Sequence, residues 1–247
     1  MTTRTRIPAR KYGQVFLRDH SIAEFEVDQL LPKPGETVLE IGSGSGILTS
    51  LLVEKFSHVT GLEPDHVFYD ALLSGFESQG LKNKLSMQKK SFLDLEAGYY
   101  DKIIGNIPYQ ISSQIVFHLR KFDFRRCILM VQKEFADRLI ATPGTRDYSR
   151  ISVNASLFYN IRELRFVPRN LFSPVPRVDS EIILIEKKTD PMNMDHEAFD
   201  RLLVKLFSNR RKMIRSILEN FPDHLAKRRP DTLNVKEIME IFNLVKK

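Results

Sequence analysis

The sequence predicts an α/β fold: a mostly parallel, seven-stranded sheet covered on both faces by helices, followed by a small helical C-terminal domain. Three observations carry that expectation. Short aliphatic and β-branched runs alternate with segments of helical periodicity, and strands joined by helical crossovers pair in parallel with both faces buried. A glycine-rich turn joins the first such strand to the helix after it. Near Asp190 the strand signal stops, and apolar residues recur only at helical spacing beyond it.

Thr37 to Ile41 is a short apolar run that breaks at Gly42, and Ile47, Leu48, Leu51, Leu52 and Phe56 then follow a helical pattern. His58 to Leu62 reads as a second strand, and Phe68, Leu72, Leu73 and Phe76 share one face of a second helix. Leu85 to Met87 is a weaker third strand. Lys102 to Asn106 is a fourth, stopped by Pro108, and Cys127 to Val131 is a fifth. Helices are expected at Ser112 to Leu119 and Glu134 to Ile140. A mixed segment follows Pro143-Gly144, then closing strands near Arg162 to Val167 and Glu181 to Glu186. Phe199, Leu202, Leu203, Leu206 and Phe207 mark a helix that Ile214, Ile217 and Leu218 are expected to continue. The expected partition is a catalytic domain over 1–189, beginning with a basic arm at 1–12, and a small helical domain over 190–247.

Length and composition bound the function. A chain of 247 residues, 42% hydrophobic, can bury one substantial core. Its net charge of +7 suits a polyanionic partner. The single cysteine, Cys127, excludes an intramolecular disulfide or a cysteine-rich metal site, fits a reducing, cytoplasmic setting, and in an apolar strand is expected to be inert packing. The longest uninterrupted apolar run is far short of a membrane span. The first twelve residues carry Arg4, Arg6, Arg10 and Lys11 without an acid or an apolar stretch, unlike a secretory signal; an organellar transit peptide shares that composition, and a basic arm touching nucleic acid is the simpler reading. The six histidines show no metal-ligand spacing, and no metal is expected.

Two motifs carry the chemistry. Glu40-Ile-Gly-Ser-Gly-Ser-Gly46 places glycines at 42, 44 and 46 between a strand and a helix, where backbone can approach a ligand closely. Glu63 ends the second strand, 21 residues beyond Gly42, where an acid accepts ribose hydroxyls. The loop and acid resemble the S-adenosylmethionine site of class I methyltransferases. Taken alone they specify a nucleoside-containing cofactor, and NAD also suits the element.

Asn106-Ile-Pro-Tyr109 closes the fourth strand at the carboxyl edge, where open α/β sheets place ligands. Methylation of an exocyclic amine explains each residue. The adenine N6 lone pair is conjugated into its ring, so acceptors aimed at both N–H bonds favour a pyramidal, nucleophilic nitrogen. The Asn106 side-chain oxygen and a backbone carbonyl near Pro108 would supply them, without a strong general base. Tyr109 offers a flat face for a base. An Asn-Pro turn that merely caps a strand would carry the same residues; the order after a glycine loop and an acid sets this one apart.

Together the motifs resemble amino-methylating nucleic-acid methyltransferases. Gly13-Gln-Val-Phe-Leu17, Gln132-Lys-Glu134, Pro143-Gly-Thr-Arg-Asp-Tyr148 and Arg150-Ile-Ser-Val153 are similar to segments of the rRNA adenine dimethylases. Phe172-Ser-Pro-Val-Pro-Arg-Val-Asp-Ser180 and Asn209-Arg-Arg-Lys212 with Arg215 resemble their small-subunit, kasugamycin-sensitivity branch. The resemblance spans about Lys11 to Leu218. It implies a Rossmann-like class I fold and S-adenosylmethionine as methyl donor. The implied product is N6,N6-dimethyladenine at two adjacent adenines near the 3′ end of small-subunit rRNA.

It also implies cofactor contacts at Leu17, Gly42, Glu63 and Asn106, with Gly44 and Gly46 in the same loop, and an aromatic, Phe172, facing the target base opposite Tyr109. Two positions depart. Val15 stands where the family usually has Asn, leaving any polar contact to Gln14. Ser91 stands where an acid normally binds the cofactor adenine, and Asp94, three residues on, is the candidate substitute. Lys205, Arg210, Arg211, Lys212 and Arg215, with Lys227-Arg-Arg229 and the N-terminal arm, are expected to contact rRNA phosphates, although a solvated helix face would carry the same charges. The expected partner is a pre-30S-type subunit and the expected state a monomer. A large-subunit resistance methylase and a non-catalytic nucleic-acid-binding or assembly factor are the alternatives.

Overall fold

The computed structural model describes residues 15–81, 83–188 and 194–245. In chain order the strands and helices are β1 (Phe16–Leu17), α1 (His20–Gln29), β2 (Thr37–Ile41), α2 (Ile47–Lys55), β3 (His58–Leu62), α3 (His66–Ser78), β4 (Leu85–Gln88), β5 (Gly98–Tyr99), β6 (Lys102–Asn106), α4 (Ser112–His118), β7 (Phe122–Asp123), β8 (Arg126–Gln132), α5 (Lys133–Ile140), α6 (Arg150–Phe158), β9 (Tyr159–Val167), β10 (Phe172–Ser173), β11 (Ser180–Lys187), α7 (His196–Ser208) and α8 (Val235–Val245). The main sheet has seven strands in the order β4-β3-β2-β6-β8-β11-β9. The pairs β3–β4, β2–β3, β2–β6 and β6–β8 are all parallel. The order reverses beside β2, so the carboxyl ends of β2 and β6 flank a topological switch point, the usual ligand crevice of open α/β sheets.

The expected α/β class and all seven expected strands are present. Burial explains why they are legible: β2, β3, β6 and β8 are almost wholly buried apolar runs. Around them Leu48, Leu52, Val59, Ile104, Ile128 and Ile182 belong to one core. Helix α1 is not among the expected elements. Its cap is local, with Asp19 Oδ1 accepting from the Ser21 and Ile22 amides at 2.9 and 3.2 Å. Its buried face is Ile22, Ala23, Glu26 and Val27, an apolar stripe carrying one acid.

By contacts the chain divides into two units, one of residues up to Lys133 with Glu163–Leu184, the other of Glu134–Arg162 with Ile185–Lys247. Within the second, α6, α7 and α8 pack together. Phe199 and Phe242 meet edge-on at 5.3 Å, and the buried Tyr148 hydroxyl donates to Leu233 O at 2.7 Å. One expected element is corrected here. Helix α7 ends at Ser208, and Ile214–Ser216 is a separate 3₁₀ turn. Arg210, Arg211 and Lys212 give no apolar side chain to bury through the intervening turn. The Lys212 amide instead closes back on Asn209 O at 2.8 Å.

Candidate active site

A cavity of about 680 Å³ opens at the carboxyl ends of the central strands, walled by the glycine loop after β2, the end of β3, the segment after β4, the tetrapeptide after β6, and residues of β1 and β10. Val15, Leu17, Gly42, Gly44, Glu63, Ser91, Asn106, Pro108, Tyr109 and Phe172 all line it. Residues far apart in sequence therefore meet in one wall.

The glycine loop owes its shape to backbone that side chains disfavour. Gly44 and Gly46 have φ of +52° and +84°, and a Cβ on Gly46 would lie 2.5 Å from the Leu72 side chain. Gly46 is the residue from which α2 starts. Glu63, buried, is bound into the loop: Oε2 accepts from the Gly44 amide and Oε1 from the Asp65 amide, both at 2.8 Å. A carboxylate has about four acceptor sites, so two stay available for a diol. Burial raises the Glu63 pKa, opposed by those two amides.

Beneath the loop lies Glu40, an acid inside the apolar strand β2. Its Oε2 accepts from Ser43 Oγ at 2.8 Å and Thr49 Oγ1 at 2.7 Å, while Oε1 is buried without a partner. Burial pushes its pKa up to about 7. A cation in this cavity would meet a lining that holds the carboxyl groups of Glu40 and Glu63 as well as apolar side chains of Ile41, Leu48, Phe92 and Ile107. Acceptor oxygens beside an apolar lining are what a sulfonium nucleoside requires, and the residues present fit S-adenosylmethionine.

Asn106 ends β6. Its Nδ2 donates to Glu26 Oε2 at 3.2 Å, and its Oδ1 is buried without a partner. The Pro108 carbonyl is engaged locally. It accepts the Ile111 amide at 3.1 Å and the Ser112 hydroxyl at 3.4 Å, closing a 3₁₀ turn. Tyr109 shares a 2.7 Å hydrogen bond with Ser180 Oγ, which tethers the rim of its ring. Phe172 is buried and pairs across strands with Leu17.

Ser91 and Asp94 form a capping box. Ser91 Oγ accepts from the Leu93 amide at 3.3 Å and Asp94 Oδ2 from the Ser91 amide at 3.0 Å. Ser91 lines the cavity, whereas Asp94 is exposed and outside its wall. Val15 is half-buried against the core. Gln14, Arg4, Arg6, Arg10 and Lys11 lie outside the described residues. Lys205, Arg211, Lys212 and Arg215 are exposed. Arg210 is engaged within its own unit, donating to Arg146 O at 3.0 Å and lying 3.8 Å from Asp231. Of the apolar residues expected to be core on that helix, Leu206 and Ile214 are buried and Ile217 is half-buried, although Ile214 and Ile217 lie beyond the helix end. Cys127 is buried in β8, where burial pushes its thiol pKa up. Among the described residues no cluster of His, Cys, Asp or Glu could hold a metal, and no helix is long and apolar enough to cross a membrane.

Glu26, Glu40 and Ser180 are the site residues that sequence reasoning missed. The signal for the two acids was present, because each interrupts an otherwise apolar face or run.

A parallel sheet with this strand order, a glycine loop and acid at the switch point, and an Asn-x-Pro-Tyr turn on the same cavity define a class I S-adenosylmethionine-dependent methyltransferase. A family model described as ribosomal RNA adenine dimethylase matches residues 8–246, and the chain belongs to that family. It is 39% identical over 220 residues to the ribosomal RNA small subunit methyltransferase A of Mycoplasma mobile, covering 87% of this chain and 84% of that protein. Its structure is similar to that of a dimethyladenosine transferase from Plasmodium falciparum, with TM-score 0.81 and 26% identity over 92% of this chain and 95% of the other. The 23S rRNA methyltransferase ErmE shares the fold, at TM-score 0.69 and 24% identity over 94% of this chain and all of the other, 100%.

Proposed function

We infer that this chain transfers methyl groups from S-adenosylmethionine to the N6 amino groups of two adjacent adenines near the 3′ end of small-subunit rRNA, giving N6,N6-dimethyladenine during ribosome assembly. The observation that carries this reading is the buried, unpartnered Oδ1 of Asn106, on the same cavity as the glycine loop and Glu63. When bound, S-adenosylmethionine supplies an electrophilic methyl group on a sulfonium. The remaining work falls to the chain. Gly42, Gly44 and Gly46 let the backbone close on the nucleoside, with Leu17 against it. Glu63 accepts the ribose hydroxyls, and Glu40 adds negative charge beneath the loop. Ser91, rather than Asp94, faces the cofactor adenine.

Asn106 Oδ1 accepts an N–H of the target amine. An unmet buried acceptor costs about 1–3 kcal/mol, which the amine N–H recovers as it docks. Such fixed polar groups act on the amine in the transition state without proton transfer to a strong base. Tyr109 and Phe172 hold the adenine by its faces once it has left its stack, a displacement costing a few kcal/mol. Two transfers per adenine require the pocket to accept a monomethylated amine, which still has one N–H for Asn106.

Lys205, Arg211, Lys212 and Arg215 of segment 190–247 contact rRNA phosphates, joined by Arg4, Arg6, Arg10 and Lys11 of the arm. Such contacts make binding steeply salt-dependent. The partner is a pre-30S-type particle, and the protein acts as a cytoplasmic monomer. Labelled-methyl transfer to unmethylated small subunits, followed by nucleoside analysis, tests the reading. Dimethyladenosine in small-subunit rRNA is the expected product. Label only in large-subunit RNA, or no label at all, overturns it.

A further inference from the structure

Glu26 belongs to neither sequence motif, yet it is the residue that touches Asn106. It sits on the buried face of α1, fully shielded from solvent. Its Oε2 accepts from Asn106 Nδ2 at 3.2 Å and its Oε1 has no partner. A buried carboxyl is expensive to retain, and an apolar residue beside Ile22, Ala23 and Val27 would pack there at lower cost. Its presence therefore calls for a role, and its single hydrogen bond indicates one.

An asparagine amide has two unlike ends. With Oδ1 facing the substrate it accepts from an amine. With Nδ2 facing the substrate it offers a donor to a group that is itself a donor, and the contact is repulsive. We propose that Glu26 is a positioning residue: by accepting from Asn106 Nδ2 it fixes the amide so that Oδ1 is the acceptor presented to the target amine. This rests on the transferase reading above and deepens it. Burial raises Glu26 to about 8, with Glu40 on β2 as the neighbouring charge that adds to the shift. In either protonation state the bond holds, because a proton on the unpartnered Oε1 leaves Oε2 a carbonyl acceptor.

A double-mutant cycle on methyl transfer to unmethylated small subunits tests the proposal, using Glu26→Leu, Glu26→Gln and Asn106→Ala. Glu26→Leu should lower kcat by about 10- to 100-fold, the scale of a misplaced reacting contact, with the KM for S-adenosylmethionine within about threefold of wild type. Glu26→Gln should recover most of that loss, since its carbonyl still accepts from Nδ2. Adding Glu26→Leu to Asn106→Ala should cost nothing further, because one group acts through the other. The Asn106 side-chain amide resonances, identified by their loss in Asn106→Ala, should shift in Glu26→Leu.

Wild-type kcat in Glu26→Leu, losses that multiply in the double variant, or unmoved Asn106 resonances each overturn the proposal while leaving the transferase intact. Absence of transfer by the wild-type protein is the distinct result that removes both. Should Glu26→Leu not fold, Glu26→Met, which also lacks an acceptor of that strength, takes its place in the cycle and in the resonance comparison, and the same outcomes decide.

Discussion

Strands β2 and β6 begin and end among polar side chains, and the two ends treat charge in opposite ways. At the amino ends, Glu36 precedes β2 and Lys102 opens β6. Both are buried, and they pair at 3.4 Å. Arg125 reaches the same Glu36 oxygen at 3.3 Å, the Lys33 amide donates to the other oxygen, and Asp101 accepts from both the amide and hydroxyl of Thr37. At the carboxyl ends, Glu40, Glu63 and nearby Glu26 are also buried, but only neutral donors hold them. Among the described residues no cation lies within ion-pair distance of these three, and Glu26 Oε1, Glu40 Oε1 and Asn106 Oδ1 are left unpartnered. The amino edge is electrostatically closed and serves the fold. The carboxyl edge is open, and under the proposed function a cationic cofactor and an N–H-bearing substrate would supply what it lacks.

Breaking the closed edge should have the largest effect on stability. Lys102→Met leaves the exposed Arg125 as the cation beside buried Glu36, with the Lys33 amide on its other oxygen, and should cost about 3–5 kcal/mol in urea denaturation. A loss below about 1 kcal/mol would mean that the pair does not hold this edge together. Breaking the open edge should instead spare the fold and cost rate. Asn106→Ala should lower kcat by about 10²–10³, while S-adenosylmethionine binding, followed by calorimetry, should weaken by no more than about tenfold, the share of a single neutral contact. Near-normal turnover in that variant would remove the polar-activation mechanism.

The open edge also makes stability depend on pH. Burial raises Glu26 from 4.5 to about 8 and Glu40 from 4.5 to about 7. Between those values the folded state retains protons that the unfolded chain has released, so the contribution of these two groups to stability is full below about pH 4.5 and is lost as pH rises through 7 to 8. At 1.36 kcal/mol per pKa unit, Glu40 alone accounts for roughly 3 kcal/mol. Thermal midpoints of wild type should therefore fall relative to those of Glu40→Gln between pH 5 and pH 8. A bound cation favours the ionised carboxylates, so stabilisation by S-adenosylmethionine should grow over the same window. Parallel pH profiles for the two proteins would show that Glu40 does not titrate there.

How much of this the sequence discloses follows from the same comparison. Strands β2, β3 and β6 are legible to the residue because they are buried on both faces and end at glycine, proline or an acid. The glycine loop and the Asn106 turn are legible because each is a contiguous string whose backbone geometry restricts its residues. What escapes are pairings across long sequence distances: Glu26 with Asn106, 80 residues apart, and Tyr109 with Ser180, 71 apart. Helix α1 escapes with them, because Glu26 interrupts the apolar stripe that would announce it. The helix expected to run on past Ser208 fails for a local reason, the three basic residues after Asn209 that no core can take.

Asp94 is the carboxylate at the open edge that tests the rule from the other side, since its charge is already used. It accepts from the Ser91 amide as the third residue of a 3₁₀ turn, and it is exposed and outside the cavity wall. Its contribution is that of a cap, so Asp94→Ala should cost about 0.5–1 kcal/mol in stability and change the S-adenosylmethionine Kd by less than about twofold. If Asp94 instead grips the cofactor adenine, loss of a charged hydrogen bond worth about 1.5–3 kcal/mol would weaken binding by roughly tenfold or more. Ser91→Asp would then discriminate further. A carboxylate placed on the wall itself, at the position where the family usually carries an acid, should tighten cofactor binding when Asp94 is only a cap. It should add little if the adenine amino group is already held.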